Sequence, residues 1–329
     1  MSRSAALAAS AIAGLLLLSL LSLAVGRVWI DPLQLIGGSP NEQGSVARLI
    51  VWELRAPRLA LSLAVGGALG LSGAVLQGLT RNPLAEPGLL GVSSGAAFGA
   101  VVAIYFGVAT QLALAAPVAG LLGAAAATSL TFALGRGGGT IALILAGAAV
   151  TGLFAAGVDL ALNLAPNPYA AYEIVTWLMG SLVDRSWEQA TLAIPFMAGG
   201  AWLLAFCGRG VDALSLGEEQ AQSLGVDLGR LRLLAIVGTA MAVGAATSVT
   251  GAIGFVGLIA PHLVRPLVKH QPSRTLLPSA VVGAGLLTAA DVFTRLVPTG
   301  NELRLGVLTT LIGTPFFFWL VVRMRKTAP

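Results

Sequence analysis

The sequence predicts an all-α membrane protein, about ten transmembrane helices in a single domain over residues 1–329. Three observations predict it. Of the residues, 56% are hydrophobic and only 10% charged, where a soluble domain carries roughly 25% charged residues. Apolar stretches of about 20 residues, enough to cross hydrocarbon, recur along the whole chain. The 42 glycines follow no collagen-like period, and that abundance of small residues suits closely packed membrane helices.

Charge-free windows place the helices in order. Residues 5–26 form the first and 59–80 the second. Residues 87–135 are long enough for two spans joined near 107–111. Windows 137–158 and 189–208 follow. The run 233–264 is too long for one ordinary span and short for two, and Thr250-Gly251 is the natural break. Windows 275–290 and 305–322 complete ten. The runs are continuously apolar and lack the period-two alternation of a membrane barrel, so helices are expected. The first window exceeds the 7–15-residue core of a signal peptide, and it reads as a retained span.

Charge sets the orientation. With both termini in the cytoplasm, 12 of the 19 basic residues but only 5 of the 14 acidic ones fall inside. That asymmetry follows the positive-inside rule. It also accounts for the net charge of +5 without invoking nucleic acid. The one cysteine, Cys207, excludes an intrachain disulfide and a Cys-rich metal cluster.

Four connections exceed a simple turn. Segments 27–58 and 163–188 lie outside, and the second carries Trp177 and Trp187. Inside, 209–232 reads as short amphipathic helices, with Leu214, Leu216, Ala221 and Leu224 among Glu218, Glu219 and Gln220. A cytoplasmic docking surface suits this acidic face better than a bed of anionic lipid. The fourth, RNPLAEPG at 81–88, holds two prolines that stop helices. It reads as a rigid turn that can line a constriction.

Catalytic chemistry is missing. The Gly-rich run at 135–140 lacks the Gly-Lys-Ser/Thr ending of a P-loop. His262 and His270 have no partner cysteine for zinc, and His262 reads as a packed or pore-lining neutral side chain. No Ser–His–acid arrangement can be proposed. Asp291 lies four residues before Arg295, the spacing of a helical ion pair.

Five stretches together carry a family resemblance. They are RAPR at 55–58 continuing through RNPLAEPG, WLMGSL at 177–182, LGEEQAQSLGV at 216–226, TGAIGFVGLIAPHLVR at 250–265 and LIGTPFFFWL at 311–320. In this order they resemble the FecCD family of permeases from ABC importers. The resemblance implies a type II ABC importer permease fold in the bacterial inner membrane, a transport subunit without catalysis or a resident cofactor. It implies a homodimer with the pathway at its axis, two cytoplasmic ATPase subunits that hydrolyse ATP, and a periplasmic substrate-binding protein.

Residue by residue, the resemblance implies ATPase coupling through 212–226, with Leu214, Gly217, Glu218, Ala221, Leu224 and Gly225. It implies binding-protein docking on Arg55, Arg58 and Arg295. Arg304, standing where the family pattern has proline, adds a docking charge or caps the last span. The cytoplasmic gate maps onto Asn82, Pro83, Leu84, Thr140 and Leu143. The stretch ending Asp184-Arg185-Ser186 resembles the haem-importing branch, where Arg185 would meet a haem propionate. Ferric siderophore and cobalamin are alternative substrates. An ion-coupled secondary transporter is the alternative of a different class, and the spans lack the buried proton relay it would need.

Overall fold

Glycine and alanine let these helices approach until backbone meets backbone. A computed structural model of the protein describes residues 3–26, 28–30, 42–297 and 303–327. Among them there are helices and turns and no strand. Arg27, residues 31–41 of the outer segment and Glu302 lie outside the described residues.

Helix α1 spans Arg3–Ala24 and α2 spans Glu42–Leu49. A π-helical turn, Ile50–Arg55, carries α2 into α3, Ala56–Leu79. A 3₁₀ turn at Pro87–Leu90 leads to α4 (Val92–Tyr105), the short α5 (Val108–Gln111), α6 (Ala115–Gly135) and α7 (Gly139–Asn163). Then come α8 (Pro168–Leu178), α9 (Trp187–Ala205), α10 (Gly208–Leu214) and α11 (Glu218–Ser223). Helix α12 (Leu228–Thr250) breaks before α13 (Val256–Val264), and a 3₁₀ turn, Arg265–Val268, leads to α14 (Pro272–Leu296) and α15 (Leu305–Thr327).

The expected number of spans is not reached by length and apolarity alone. Among the described residues six helices qualify, and the bent pair α9–α10, with a 46° angle between its parts, makes a seventh. Two shorter apolar helices, Val92–Tyr105 and Val256–Val268, and the 22-residue α1 occupy the other expected windows. The 14 residues of α4 rise only about 21 Å, short of the ~30 Å hydrocarbon thickness. Within the outer segment the chain is already helical from Val46, and the helix runs without interruption to Leu79.

Several local signals explain the boundaries. Asn167 caps α8 by accepting from the Ala170 N–H at 2.8 Å, and Pro168 opens the helix. Asp227 caps α12 through the Arg230 N–H at 3.0 Å. The expected break after Thr250 is present, with Gly251 at φ +73°, a conformation glycine adopts freely.

Helices α3 and α12 form the centre. Within their apolar windows 72% of residues are buried, against 28% in α7 at the periphery. A Cβ added at Gly66 or Gly70 of α3 would collide with the backbone of Gly283 or Ser279 in α14. Gly95 and Gly99 of α4 lie equally close to Gly123 and Ala119 of α6. Both pairs are spaced four residues apart, the small-xxx-small arrangement by which membrane helices gain packing contact. Cys207 is fully buried at the α9–α10 bend.

Candidate functional site

At the end of the molecule bearing α10 and α11, the chain anchors a short helix and leaves apolar side chains uncovered. Leu214 and Ala221 are buried, while Leu216 and Leu224 are 63% and 65% exposed. Gly217 takes φ +115° between the two helices, which favours glycine. Gly225 ends the segment at φ +84°.

Glu218 ties this segment to α7. Its Oε1 accepts from Thr140 Oγ1 at 3.0 Å and from Arg232 Nη2 at 2.9 Å. Burial pushes the Glu218 carboxyl up, but those two bonds and the charges of Arg232 and Arg81 outweigh it, so its pKa lies below the ordinary value. Leu143, one turn beyond Thr140, is buried. Two sets of residues that the sequence separates into gate and coupling are thus joined by one carboxylate.

The RNPLA turn closes on itself. Asn82 Oδ1 accepts from the Leu84 N–H at 2.9 Å, an Asx turn. Asn82 is exposed, and Pro83 and Leu84 are half-buried. The hydrogen bonds of Thr140 run to Glu218 and Arg232, not to this turn. Glu86, which the sequence reading left without a role, fastens the turn to the α12–α13 break. Its Oε1 accepts from the Phe255 N–H at 2.8 Å, and Phe255 holds a left-handed φ of +66°. Burial raises the Glu86 pKa despite that bond. The available signal was an acid lying between two prolines.

At the opposite end, the arginines expected on a free docking surface face inward. Arg55 is 7% exposed, and its guanidinium donates to the carbonyls of Leu23 (2.7 Å), Ala24 (2.8 Å) and Val28. Arg295 donates to the carbonyls of Ser22 (2.8 Å) and Val25 (3.1 Å), to Ser22 Oγ and to Asp291. Arg58 Nε pairs with Asp291 Oδ1 at 2.9 Å, and Asp291 is fully buried. The physical reason is the C-terminus of α1: its last carbonyls have no partner within the helix. Arg55 at the end of the π-helical turn and Arg295 of α14 supply the donors. The i,i+4 pair of Asp291 and Arg295 forms as expected.

These groups floor a cavity of about 270 Å³ lined by Arg55, Arg58, Asp184, Arg185 and Arg295. The Arg185 Nε is buried without a hydrogen-bond partner. Burial lowers the Arg185 pKa, Asp184 opposes that shift, and Arg304 adds to it. Arg304 is half-exposed beside the start of α15.

A second cavity, apolar and of about 790 Å³, lies between the end of α8, the α12–α13 break and α15. Met179, Ala252, Gly254, Gly306, Thr310 and Thr314 are among its lining residues, and no arginine is. His262 packs edge-on against Phe316 and Trp319, with ring centroids 5.5 and 6.3 Å away. Among the described residues no cluster of three or more His, Cys, Asp or Glu side chains could hold a metal.

The chain is similar to known proteins along nearly its whole length. The vitamin B12 import system permease protein BtuC of Vibrio cholerae is 38% identical over 92% of this chain and 89% of its own length. The hemin transport system permease protein HmuU of Yersinia pestis is 37% identical over 95% of this chain and 96% of its own. A solved metal-chelate type ABC transporter in an inward-facing conformation superposes with a TM-score of 0.86 at 32% identity, covering 95% of this chain and 98% of the other. The model of the FecCD transport family matches residues 14–323. The chain belongs to the FecCD transport family, as a multi-pass membrane permease of an ABC importer.

Proposed function

We propose that this permease forms the pathway for haem across the bacterial inner membrane, as a homodimer driven by two separate ATPase subunits. Both termini lie in the cytoplasm, and ten helical passages, two of them short, surround the path. A loaded periplasmic binding protein docks over the arginine-floored cavity, with Arg304 at its rim. Arg55, Arg58 and Arg295 act from below by setting its positive potential, which guides encounter and register. Residues 214–225 receive the ATPase, and Asn82, Pro83, Leu84, Thr140 and Leu143 form the gate.

The observation that carries the coupling assignment is the pair of exposed leucines, Leu216 and Leu224, on a segment pinned by buried Leu214 and Ala221. Apolar side chains exposed on both flanks of a short polar helix suit a protein partner. The ATPase biases the permease only through contacts that differ between its two states.

For the substrate, the supporting observation is Arg185, a guanidinium with an unused donor beside an outer cavity. Guanidinium groups bind carboxylates in a bidentate fork, and haem carries two propionates. The 38% identity to a vitamin B12 permease supports cobalamin as the second reading. Uptake into vesicles holding the permease and its ATPase decides between them, using binding proteins loaded with haem, a ferric siderophore or cobalamin. ATP-dependent haem uptake is the expected result. Uptake of cobalamin or siderophore alone overturns the haem assignment, and uptake driven by an ion gradient without ATPase overturns the ATP-driven one.

A further inference from the structure

A second basic cavity, of about 290 Å³, lies at the coupling end, between the last turn of α3, α10 and the start of α14. Gln77, Arg81, Ser215, Arg265, His270 and Thr275 line it, and among the described residues no acidic side chain does. Arg265 is half-buried. Its Nη2 donates to Gln77 Oε1, and Gln77 Nε2 reaches the carbonyls of Gly257 (3.4 Å) and Leu258 (3.5 Å). A neutral amide therefore aims this guanidinium, and no carboxylate neutralises it. Among the described residues neither Arg265 nor Arg81 has a salt-bridge partner. Asp212, the acid of α10, is engaged by the start of α14, accepting from the Ser273 N–H at 2.7 Å and from Gln271 Nε2 at 3.0 Å. The backbone N–H of His270 donates to the Arg265 carbonyl at 2.9 Å, in a left-handed turn at Lys269 and His270 that brings the imidazole to the cavity wall.

A partly buried cation lacking a counter-charge is costly, and two guanidiniums around one hollow match the oxygens of a phosphate. We propose that this cavity binds a phosphate-bearing anion, either the phosphodiester of an anionic lipid headgroup or free phosphate. Basic pockets between membrane helices take lipid headgroups on the cytoplasmic side. Pro83 of the gate turn and Ser215 of the coupling segment both line the cavity. A bound anion would touch both.

Calorimetry on the purified full-length permease in non-ionic detergent tests this, with inorganic phosphate, dioctanoyl phosphatidylglycerol and, as a phosphate-free control, dioctanoylglycerol. Binding of phosphate identifies the free anion, and binding of phosphatidylglycerol alone identifies the headgroup. Either supports the site if Arg265→Gln and Arg81→Gln each weaken it about tenfold, the worth of one charge-assisted hydrogen bond. Arg81 is exposed, so its variant carries the test if Arg265→Gln fails to fold. Absence of binding by both phosphate compounds, equal binding of dioctanoylglycerol, or affinity unchanged in Arg81→Gln overturns the proposal.

Discussion

Thr140 Oγ1 donates to Glu218 Oε1 at 3.0 Å, so the first turn of α7 hangs from the helix that the ATPase is proposed to grip. Arg232 closes the triangle from α12 at 2.9 Å. A displacement of α11 would thus pull on α7 through a charge-assisted contact. Thr140→Val removes the hydroxyl and keeps the shape. It should cost about 1 kcal/mol of linkage and loosen the ratio of substrate transported to ATP hydrolysed, while leaving basal ATPase activity near wild type. Unchanged stoichiometry in reconstituted vesicles would count against this route.

The same carboxylate predicts a pH dependence. The Glu218 pKa is held below its ordinary 4.5 in the folded protein. Its contribution to stability is therefore present above about pH 4.5 and lost as pH falls through the lower, folded value. Thermal unfolding from pH 7 to pH 3 should show a smaller acid loss in Glu218→Gln than in wild type. Glu86 runs the other way. Its raised pKa makes the charged form unfavourable, so stability falls as pH rises from 4.5 through the folded value. Glu86→Gln keeps an acceptor for Phe255 and should be at least as stable at pH 7.

Asp291 balances two arginines without access to water. Asp291→Ala removes the fully buried carboxylate that both guanidiniums share and should destabilise the protein by roughly 3–5 kcal/mol. The melting temperature in detergent reads this directly. Restoring it requires a carboxylate at the same depth, so Asn should rescue only in part.

Arg185→Ala should lower haem uptake by about tenfold, one lost charge-assisted contact, with ATPase stimulation by the binding protein retained. Equal uptake by the variant and wild type would retire the residue from the pathway.

Gly70→Leu forces a side chain into the Ser279 carbonyl across the α3–α14 contact. Overpacking of this kind costs roughly 1–3 kcal/mol or more. Lower yield and a lower melting temperature are expected, whereas Gly88→Ala, whose Cβ meets nothing within 4 Å, should be silent.

The windows of the helices were legible because hydrocarbon imposes a length and a composition, and those are written in the chain. The break at Thr250-Gly251 was legible too, since a 32-residue apolar run between Leu233 and Val264 is awkward for one helix. What the residues did not disclose were relations across distance. Nothing local says that Arg55 and Arg295 will spend their donors on the frayed end of α1, because those acceptors are backbone carbonyls common to every residue. Nor does spacing connect Thr140 with Glu218, which lie 78 positions apart. The shortness of α4 was hidden because 87–135 is apolar throughout, and only the left-handed Gly107 and the small α5 divide it.

The lone thiol, enclosed at the α9–α10 bend, leaves the chain ready for spectroscopic tagging. A cysteine introduced at Leu224 or Arg304 would be the one site a maleimide label reaches, with no background to engineer away. In a paired assembly each such tag reports on its twin, giving a ruler across the symmetry axis at whichever membrane face is chosen.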